Sequence, residues 1–286
     1  MLDPLAVVGR SALRTAMNAI AAMHDHGLPA SCAHETSGGG GSDLCAGRGG
    51  ANGELMKPAL CIVIPVLDEG ERLLVALRDL QRFRQRGVCV VVVDGGSSDN
   101  TLQIAREHAD LALVAPRGRA AQMNAGAAAC PANALLFLHA DTQLPDNADA
   151  LAQRAMLDGH GWGRFDVHID SPDLMLRIVG GAMNLRSRWT GIATGDQAIF
   201  VRHELFSVVG GFPDIPLMED VALSKALKRR GPPACLRQRV TTSARRWQRH
   251  GVWRTIWMMW RLRAAYFFGA DPARLAAEYG YPSRRS

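Results

Sequence analysis

The sequence predicts an α/β fold: a mostly parallel sheet with helices on both faces. Short, wholly apolar runs alternate with amphipathic or small-residue stretches from residue 59 onward. Each apolar run ends at a polar residue or a turn. Strands buried on both faces give such continuous apolar runs, which are typical of parallel sheets covered by helices. We expect right-handed crossovers between these strands.

The alternation predicts four strands and three helices in order. The apolar runs predict strands at 61–64, 88–93, 111–115 and 134–138. Helical spacing or small-residue content predicts helices at 69–86, 99–108 and 119–129. Leu73, Leu77 and Leu80 share one face of the first helix, and Gly87 ends it. Pro65 is expected to close the first strand.

Length and composition indicate a globular protein. A chain of 286 residues with 48% hydrophobic and 21% charged residues suits one large or two small domains. No apolar run approaches the roughly 20 residues that a transmembrane helix needs. The start is not a clear secretory signal, because Asp3 precedes any basic residue and Arg10 and Arg14 interrupt the apolar stretch.

The six cysteines form no Cys-x-x-Cys pair. Cys61 and Cys89 fall inside apolar runs and are expected to act as small buried hydrophobic residues. This usage favours a reduced, cytoplasmic compartment. The histidines and cysteines within 24–45 match no familiar zinc-ligand spacing.

Residues 1–57 are expected to form a separate, disordered or weakly structured extension. A short helix is expected within 5–23, and glycine-rich stretches follow at 37–42 and 47–53. Such stretches bury too little surface to offset the entropy lost when they become ordered.

Charge is distributed unevenly along the chain. Residues 228–286 hold 14 of the 33 basic and 2 of the 27 acidic residues, a net charge of +12, which leaves −6 on the rest. A basic terminus suggests an anionic partner, such as a membrane surface, a nucleic acid or a phosphorylated ligand; the alternative is a solvated basic face. No recognised nucleic-acid-binding motif accompanies the charge, so no nucleic-acid partner is expected.

Acidic residues follow two of the predicted strands. The turn at 65–69 has no G-x-G-x-x-G pattern and the chain has no P-loop, which argues against those two nucleotide-binding folds. Asp94 ends the second strand and Asp141 follows the fourth, at the strand ends where open α/β sheets bind ligands. Asp141 is a candidate ligand for a divalent cation beside nucleotide phosphates. The alternative is that Asp141 opens a loop before Pro145.

Four short motifs follow the strands in a recognisable order. Residues 64–69 read strand-Pro-x-x-Asp-Glu, and 93–101 read strand-Asp-Gly-Gly-Ser-Ser-Asp-Asn-Thr. Residues 117–126 form a basic helix start containing Asn and Gly, and 139–141 read His-Ala-Asp. In this order they resemble the motifs of family 2 glycosyltransferases, which have the GT-A fold. There the first motif has Asn, the second a second Asp and the fourth a metal-binding Asp-x-Asp.

Four later motifs extend the resemblance to about residue 268. Residues 195–200 resemble an acceptor-side strand and 209–213 a glycine-Phe loop. Residues 218–223 resemble the Glu-Asp motif that carries the catalytic base, and 243–247 a late Arg-Trp motif. The chain is most similar to a bacterial subgroup associated with radical-SAM and selenodomain proteins, whose members carry His-Ala-Asp-Thr.

The resemblance implies a metal-dependent, hexosyltransferase-type enzyme that moves a sugar from a nucleotide-sugar to an acceptor with inversion. The motifs do not identify the acceptor, for which a lipid is one candidate. It divides the GT-A domain, 58–250, into a nucleotide-sugar half, 58–142, and an acceptor half, 143–250. Residues 251–286 form a basic aromatic tail. The alternative is a non-catalytic nucleotide- or lipid-binding protein on a GT-A scaffold, which the substitutions within the motifs allow.

The resemblance also implies roles for individual residues. The nucleotide-sugar site would comprise Pro65, Leu67, Glu69, Asp94, Arg117, Arg119 and Asn124. The two arginines suit phosphate, and their alternative role is that of solvated loop charges. Mg²⁺ or Mn²⁺ would bind Asp141, with His139 either a second ligand or a strand-end histidine bonded to backbone.

Catalysis is assigned by the resemblance to the Glu-Asp motif. Asp220 would be the base, with Glu219 beside it, in the first turn of a helix predicted at 219–230. The helix dipole also favours an acid there, which is the non-catalytic explanation. The acceptor or diphosphate side would comprise Gly211, Phe212, Arg246 and Trp247; the alternative for the tryptophan is packing.

The stretch 252–268 combines aromatic and basic residues on one predicted helix. Trp253, Trp257 and Trp260 recur at helical spacing among arginines. This pattern suits the lipid headgroup region, so the protein is expected in the cytoplasm or at the inner face of the membrane. The alternative is a terminal helix packed on the catalytic domain.

Overall fold

The computed structural model describes residues 57–280. The expectations for residues 1–56, namely the helix, the glycine-rich stretches and the absence of a zinc pattern, lie outside the described residues. The strands are β1 Cys61–Val66, β2 Cys89–Asp94, β3 Leu111–Val114, β4 Ala134–Phe137, β5 Thr142–Gln143, β6 Trp162–Asp170, β7 Phe200–Arg202 and β8 Ala234–Ser243. The helices are α1 Gly70–Arg84, α2 Thr101–His108, α3 Arg119–Ala129, α4 Ala148–Leu157, α5 Leu174–Thr190, α6 His203–Val208, α7 Glu219–Lys228, α8 Arg245–His250, α9 Val252–Phe267 and α10 Pro272–Tyr279.

The strands form one mainly parallel sheet in the order β3-β2-β1-β4-β7-β6-β8-β5. Strands β1 to β4 are parallel, and Cys61 lies level with Cys89 on one side and Leu135 on the other. Strand β7 is antiparallel to β4 and β6, while β6 and β8 are again parallel. The α/β class with a mainly parallel sheet is confirmed.

Helices cover both faces of the first half of the sheet. Ile62 and Ile64 point into one core, which α1 and α2 cover. Cys61 and Val63 point into the other, which α3 and α7 cover. Successive residues of a strand face opposite sides, so both faces must be apolar, and this explains the continuous apolar runs.

Strand β1 continues past the point where it was predicted to end. Pro65 lies inside the strand, level with Val93 of β2. The backbone carbonyl of Val63 accepts a hydrogen bond from the Leu138 amide, so the backbone polar groups of Val63 point towards β4. Pro65 lies two residues further along the strand, so its backbone nitrogen points the same way. Pairing with β4 ends at Val63, and no ladder partner needs the amide hydrogen that Pro65 lacks.

The segment 195–200, which resembles a strand in sequence, is only partly one. Gly195–Gln197 is a 3₁₀ helix, and β7 begins at Phe200. The amide of Thr194 donates to Oε1 of Gln197 over 3.2 Å, which closes the turn. This turn places Gly195 beside the candidate site described below.

The cysteines of the first half are buried, as predicted. Cys61 and Cys89 are 0% and 6% exposed, and with Cys130 their sulfur atoms lie within 4.8 Å of one another. Among the described helices, none has the length and apolar character needed to cross a membrane.

The C-terminal helices pack on the domain through one face. Leu262 of α9 and Leu275 of α10 join Leu217 and Met218, just before α7, in a small apolar cluster. The opposite face of α9 is open: Trp253 is 70% and Trp257 is 67% exposed. The C-terminal helices therefore pack on the domain, as the alternative prediction of a terminal packed helix states, and they also expose aromatic residues to solvent.

Candidate active site

Hydrogen bonds join the loops that follow β1 and β2. Asp68, at a left-handed φ of 51°, donates its amide to Ser97 over 2.9 Å and accepts from the Ser98 amide over 2.7 Å. The amide of Glu69 donates to Thr101 over 2.9 Å. Asparagine and aspartate tolerate this backbone conformation best among residues with a side chain, so Asp can stand where the family motif has Asn.

Asp94 and Gln122 shape the ends of the first two strands. Asp94 is buried and accepts hydrogen bonds from the amides of Gly96 and Ser97. The Gln122 side chain donates to the carbonyls of Val66 and Val93, each over 2.8 Å. A Cβ on Gly95 would lie 3.2 Å from that amide, so a residue with a side chain at this position would require Gln122 to move by a few tenths of an ångström. Sequence reasoning missed Gln122, because a lone glutamine in a helix carries no motif.

Asn124 connects α3 to the glycine-Phe loop. Its amide donates to the Phe212 carbonyl over 2.8 Å and accepts from the Phe212 amide over 2.9 Å. A Cβ on Gly211, whose φ is +70°, would lie 2.7 Å from Asn124 Oδ1, so this approach needs glycine. The Phe212 ring packs edge-on against Phe137, at the end of β4, with centroids 4.7 Å apart.

His139 and Asp141 follow β4 at the carboxyl edge of the sheet. Among residues 57–280 no hydrogen bond to the His139 ring is found, so the expected alternative of a backbone-bonded ring does not apply. A Cβ on Gly195 would lie 2.3 Å from His139 Nε2. Burial, and to a smaller extent the charge of Arg119, lower the pKa of His139 to about 4. The charges of Asp141 and Asp220 act in the opposite direction and raise this pKa. The imidazole is therefore neutral at neutral pH, which is its metal-binding form.

Glu219 and Asp220 begin α7 and face this edge from the other half of the domain. Met218 precedes them with a left-handed φ of 69°, and its side chain is buried. Asp220 Oδ2 accepts from the Gly195 amide over 2.8 Å, and Oδ1 accepts from the Val221 amide over 2.7 Å. Both oxygens are thus oriented by backbone donors, one in the 3₁₀ turn at Gly195 and one in the first turn of α7.

Two acids near Arg119 are harder to ionise than usual. Burial, followed by the charge of Asp220, raises the pKa of Glu219 to about 7. Burial also raises the pKa of Glu69, and the charge of Asp141 adds to this. Arg119 opposes both shifts, and its Nη1 lies 3.9 Å from Glu219 Oε1. The start of α3, which carries Arg119, and the start of α7, which carries Glu219, therefore meet at one charged centre.

One pocket joins the two halves. It is lined by His139, Gly195, Glu219 and Asp220 and by the apolar side chains of Met123, Phe137, Leu138, Ile199 and Phe212.

The remaining predicted site residues lie around this pocket or in the segments near it. Arg246 is exposed, and its charge acts on His139. Trp247 packs against a cluster that contains Ile169 and Leu176. Pro65 lies inside β1, Leu67 follows that strand, and Arg117, which is exposed, lies in the loop between β3 and α3.

The raised pKa of Glu219 makes a prediction about stability. Native Glu219 holds its proton up to about pH 7, whereas the unfolded chain releases it near 4.5. The native state binds more protons in this window, so the wild type loses stability as the pH rises through it, by at most about 3 kcal/mol. Glu219→Gln does not titrate, and its free energy of unfolding relative to wild type should rise from pH 5 to pH 8.

Urea denaturation at pH 5, 6, 7 and 8 measures this difference, and the contribution of His139 is common to both proteins. Glu71→Gln, at an exposed position of α1, is the matched control and should show no such trend. A difference between Glu219→Gln and wild type that stays constant with pH would contradict the raised pKa.

The chain was compared with known families, sequences and structures. The sequence model of the family described as Glycosyl transferase family 2 matches residues 61–201. Among curated proteins, no sequence matches the chain. Many solved structures are similar in fold.

Two of these structures contain bound nucleotide-sugars. A mannosyltransferase from Pyrobaculum calidifontis, in complex with GDP-Man and Mn²⁺, is 19% identical with a TM-score of 0.53, over 81% of this chain and 66% of its own. S. aureus TarS 1-349, in complex with UDP-GlcNAc, is 18% identical with a TM-score of 0.52, over 66% of this chain and 58% of its own. The chain thus spans about two thirds or less of these relatives. Its fold is GT-A, and residues 61–201 match the sequence model of glycosyl transferase family 2.

Proposed function

We propose that the protein transfers a hexose-type sugar from a nucleotide-sugar to an acceptor hydroxyl, with inversion and with the help of a divalent cation. The observation that carries the proposal is the meeting of two carboxylates from different halves of the domain at one histidine. Asp141 and Asp220 both act electrostatically on His139, and His139 and Asp220 line the same pocket. Within family 2, the sequence His-Ala-Asp-Thr at 139–142 favours the radical-SAM/selenodomain-associated subgroup.

The donor side of the proposed site is the carboxyl edge of β1, β2 and β4. The bonded loops at 65–69 and 94–101 form one wall of the nucleotide pocket, with Asp94 fixing the second loop. Arg117 and Arg119, at the start of α3, would bind the diphosphate, since a guanidinium presents several donors to phosphate oxygens. Asn124 supports this wall through Phe212.

A divalent cation fits the residues after β4. Asp141 supplies a half-buried carboxylate, and His139 supplies a neutral imidazole. This pair suits Mn²⁺, and the carboxylate alone suits Mg²⁺. When bound, such a cation neutralises charge that develops on the departing nucleoside diphosphate.

Asp220 is proposed as the base. The acceptor hydroxyl would donate its proton to a carboxylate oxygen of Asp220 while its oxygen attacks the anomeric carbon from the side opposite the leaving group, which inverts the configuration. The two backbone donors hold the carboxylate in position. Glu219, protonated to a large extent near neutral pH, avoids a second full negative charge there and contacts Arg119.

Hydrolysis of nucleotide-sugars tests this proposal without knowledge of the acceptor, because water can replace it. We expect wild type with Mn²⁺ to release nucleoside diphosphate slowly from one class among UDP-, GDP- and dTDP-sugars. Release should fall to background in Asp141→Ala. Wild-type protein that binds a nucleotide but releases none, at high enzyme concentration, would favour the non-catalytic alternative.

We also propose that the acceptor side lies at an anionic membrane surface, which fits a lipid-type acceptor. The exposed face of α9 carries Trp253, Trp257 and Trp260, and Arg254 and Arg261 are exposed on the same helix. Aromatic rings and cations together match the headgroup region of anionic lipids.

Substituting serine for these three tryptophans should lower partitioning onto phosphatidylglycerol vesicles by about tenfold or more. The matched control replaces Val75, Val114 and Leu157, which are 58%, 61% and 80% exposed elsewhere on the protein. Co-sedimentation of folded full-length proteins measures the effect. Equal partitioning of wild type and both variants would rule out α9 as the membrane contact.

A further inference from the structure

Most of the large apolar side chains that the described residues expose lie on two helices. Thirteen such side chains are exposed within residues 57–280, and nine of them belong to α5, to α9 or to Phe268 directly after α9. The four on α5 are between 47% and 65% exposed: Leu174, Ile178, Leu185 and Trp189. Their spacing places them on one face of the helix. Scattered exposed apolar residues are normal on a protein surface, whereas a concentration of this kind marks an interaction site.

The two helices adjoin at their starts. Leu176 and Val179 of α5 belong to the same small apolar cluster as Val252, the first residue of α9. Leu176 is buried beneath α5, and Leu262 is buried beneath α9. Each helix therefore packs on the domain through one side and exposes the opposite side.

The ends of the two helices are connected by α7. A Cβ on Gly191, the residue that follows α5, would lie 3.1 Å from the Lys228 side chain. Nζ of Lys225, one turn earlier on α7, lies 5.2 Å from the centre of the Tyr266 ring, near the end of α9. The two helices therefore run in the same direction along one side of the domain, over about 25 Å. We call their neighbouring exposed faces the α5–α9 surface.

The charges around the α5–α9 surface are positive. Neither α5 nor α9 contains an acidic residue, and each carries three arginines. Arg177 of α5 and Arg254 of α9 are exposed, as are Lys225 and Lys228 of α7. Aromatic and aliphatic side chains beside cations match the headgroup region of an anionic bilayer. A second copy of the chain is a poor partner, because a symmetric interface would place like charges opposite one another.

We propose that the α5–α9 surface docks the protein on an anionic lipid bilayer, with the apolar face of α5 inserted into the headgroup region beside α9. The inference rests on the membrane contact proposed above for the tryptophans of α9 and adds a second helix to it. Two neighbouring helices fix the orientation of the domain, whereas a single helix leaves it free to roll about the helix axis. Gly195, whose amide donates to Asp220, follows Gly191 by four residues. This edge of the pocket therefore lies within about 14 Å of the end of α5 and stays close to the bilayer.

Co-sedimentation of the full chain with phosphatidylglycerol vesicles tests the contribution of α5. The α5 variant replaces Leu174, Ile178, Leu185 and Trp189 with glutamine, which is polar and favours helices. We expect its partitioning to fall about tenfold or more relative to wild type. The matched control replaces the four exposed large apolar residues outside the surface with glutamine and should partition like wild type; they are Val75, Val114, Leu157 and Val208.

Three results would overturn the inference. Partitioning of the α5 variant at the wild-type level, beside a loss in the α9 tryptophan variant, would leave α9 as the membrane contact without α5. Equal partitioning of all these proteins would remove both helices from a membrane role. Sedimentation velocity that shows a dimeric wild type without lipid and a monomeric α5 variant would assign the face to a second copy of the chain.

Fluorescence quenching measures the insertion of α5 without altering its apolar face. In the variant that lacks the three tryptophans of α9, Trp189 is the exposed tryptophan of the described residues, since Trp162 is buried and Trp247 packs on the domain. We expect brominated phosphatidylglycerol, at saturating lipid, to quench the fluorescence of this variant. Adding Trp189→Phe should remove most of the quenching. The same quenching with and without Trp189→Phe would contradict the insertion of α5.

A single charge on α5 tests the contact with anionic headgroups. Arg177→Gln should lower partitioning onto phosphatidylglycerol vesicles about fivefold and leave partitioning onto neutral phosphatidylcholine vesicles unchanged. Arg78→Gln, at an exposed position of α1, is the matched control. Equal partitioning of the two variants onto phosphatidylglycerol would show that α5 makes no contact with the headgroups.

Donor hydrolysis needs no membrane, so it separates this inference from the proposed enzyme activity. The α5 variant should hydrolyse the donor like wild type. Vesicle binding through α5 by a wild type that hydrolyses no nucleotide-sugar would overturn the enzyme and support the surface. Donor hydrolysis by a wild type whose vesicle binding does not depend on α5 would overturn the surface and keep the enzyme.

Discussion

Asp220→Asn is expected to lower sugar transfer by about 10²–10⁴-fold, the usual contribution of a positioned general base. The amide oxygen of the variant can still accept from the Gly195 amide, which lies 2.8 Å from Asp220 Oδ2, so the turn should keep its shape. The variant loses the carboxylate that would take the acceptor proton. Nucleotide affinity should stay close to wild type, because the donor residues belong to the other half of the domain.

Initial rates with the donor identified in the hydrolysis assay, together with calorimetric titration of its nucleoside diphosphate, measure both effects. Asp158→Asn, at an exposed position beyond α4, is the matched control and should leave both unchanged. Turnover within about threefold of wild type in Asp220→Asn would remove Asp220 from the role of base. Loss of nucleotide binding together with turnover would assign Asp220 to the shape of the site instead.

Asp141→Ala is expected to abolish the part of nucleotide affinity that depends on Mn²⁺. Its half-buried carboxylate follows β4 and acts on both His139 and Glu69, so a cation held there would sit between donor and base. A hard cation needs oxygen ligands, and the alanine variant removes the one that the sequence motif supplies. We expect the affinity for nucleoside diphosphate with Mn²⁺ to fall about 100-fold or more, to the metal-free value.

Titration of wild type and variant with and without Mn²⁺ measures this loss. His139→Asn decides the role of the histidine, since a ligand should show a partial loss of the metal effect and a purely structural side chain none. Asp146→Asn, a few residues along the chain and exposed, is the control. A Mn²⁺ effect of wild-type size in Asp141→Ala would contradict the metal site.

The first half of the fold follows from local sequence pattern. The helix Arg119–Ala129 has the bounds predicted, and strands β1 to β4 differ from prediction by one or two residues at their ends. The runs that form β1, β2 and β4 are buried on both faces, so composition alone marks them, whereas β3 is a partly exposed strand at the edge of the sheet. Pro65 is the exception: its place inside β1 depends on where β4 stops pairing, which local sequence does not encode.

The second half could not be predicted in the same way. Strand β6 carries Arg164 and Asp166 in buried positions, where they pair with each other. Such a strand looks half exposed in sequence, because the compensating partner is visible only in the fold. The basic strand β8 cannot be recognised in the sequence for a similar reason, because the strands that it pairs with, β6 and β5, lie far away in the chain.

The residues of the candidate site likewise divide into those that sequence motifs predict and those that only the folded structure reveals. Motifs point to Asp94, Asp141, Glu219 and Asp220 because each follows a strand or starts a helix. Gly195 carries no motif and meets Asp220 only through long-range packing.

The central claim is that a nucleotide-sugar and a divalent cation bind together at the edge that carries Asp141. Thermal shift of wild type and Asp141→Ala with UDP-, GDP- and dTDP-sugars, with and without Mn²⁺, tests it most directly. A ligand at about 100 times its Kd stabilises the folded state by about 2.7 kcal/mol. We predict that one nucleotide class raises the melting temperature of wild type only with Mn²⁺, and that Asp141→Ala shows no such rise. No rise with any nucleotide-sugar, from a cooperatively folded wild type, would contradict the account.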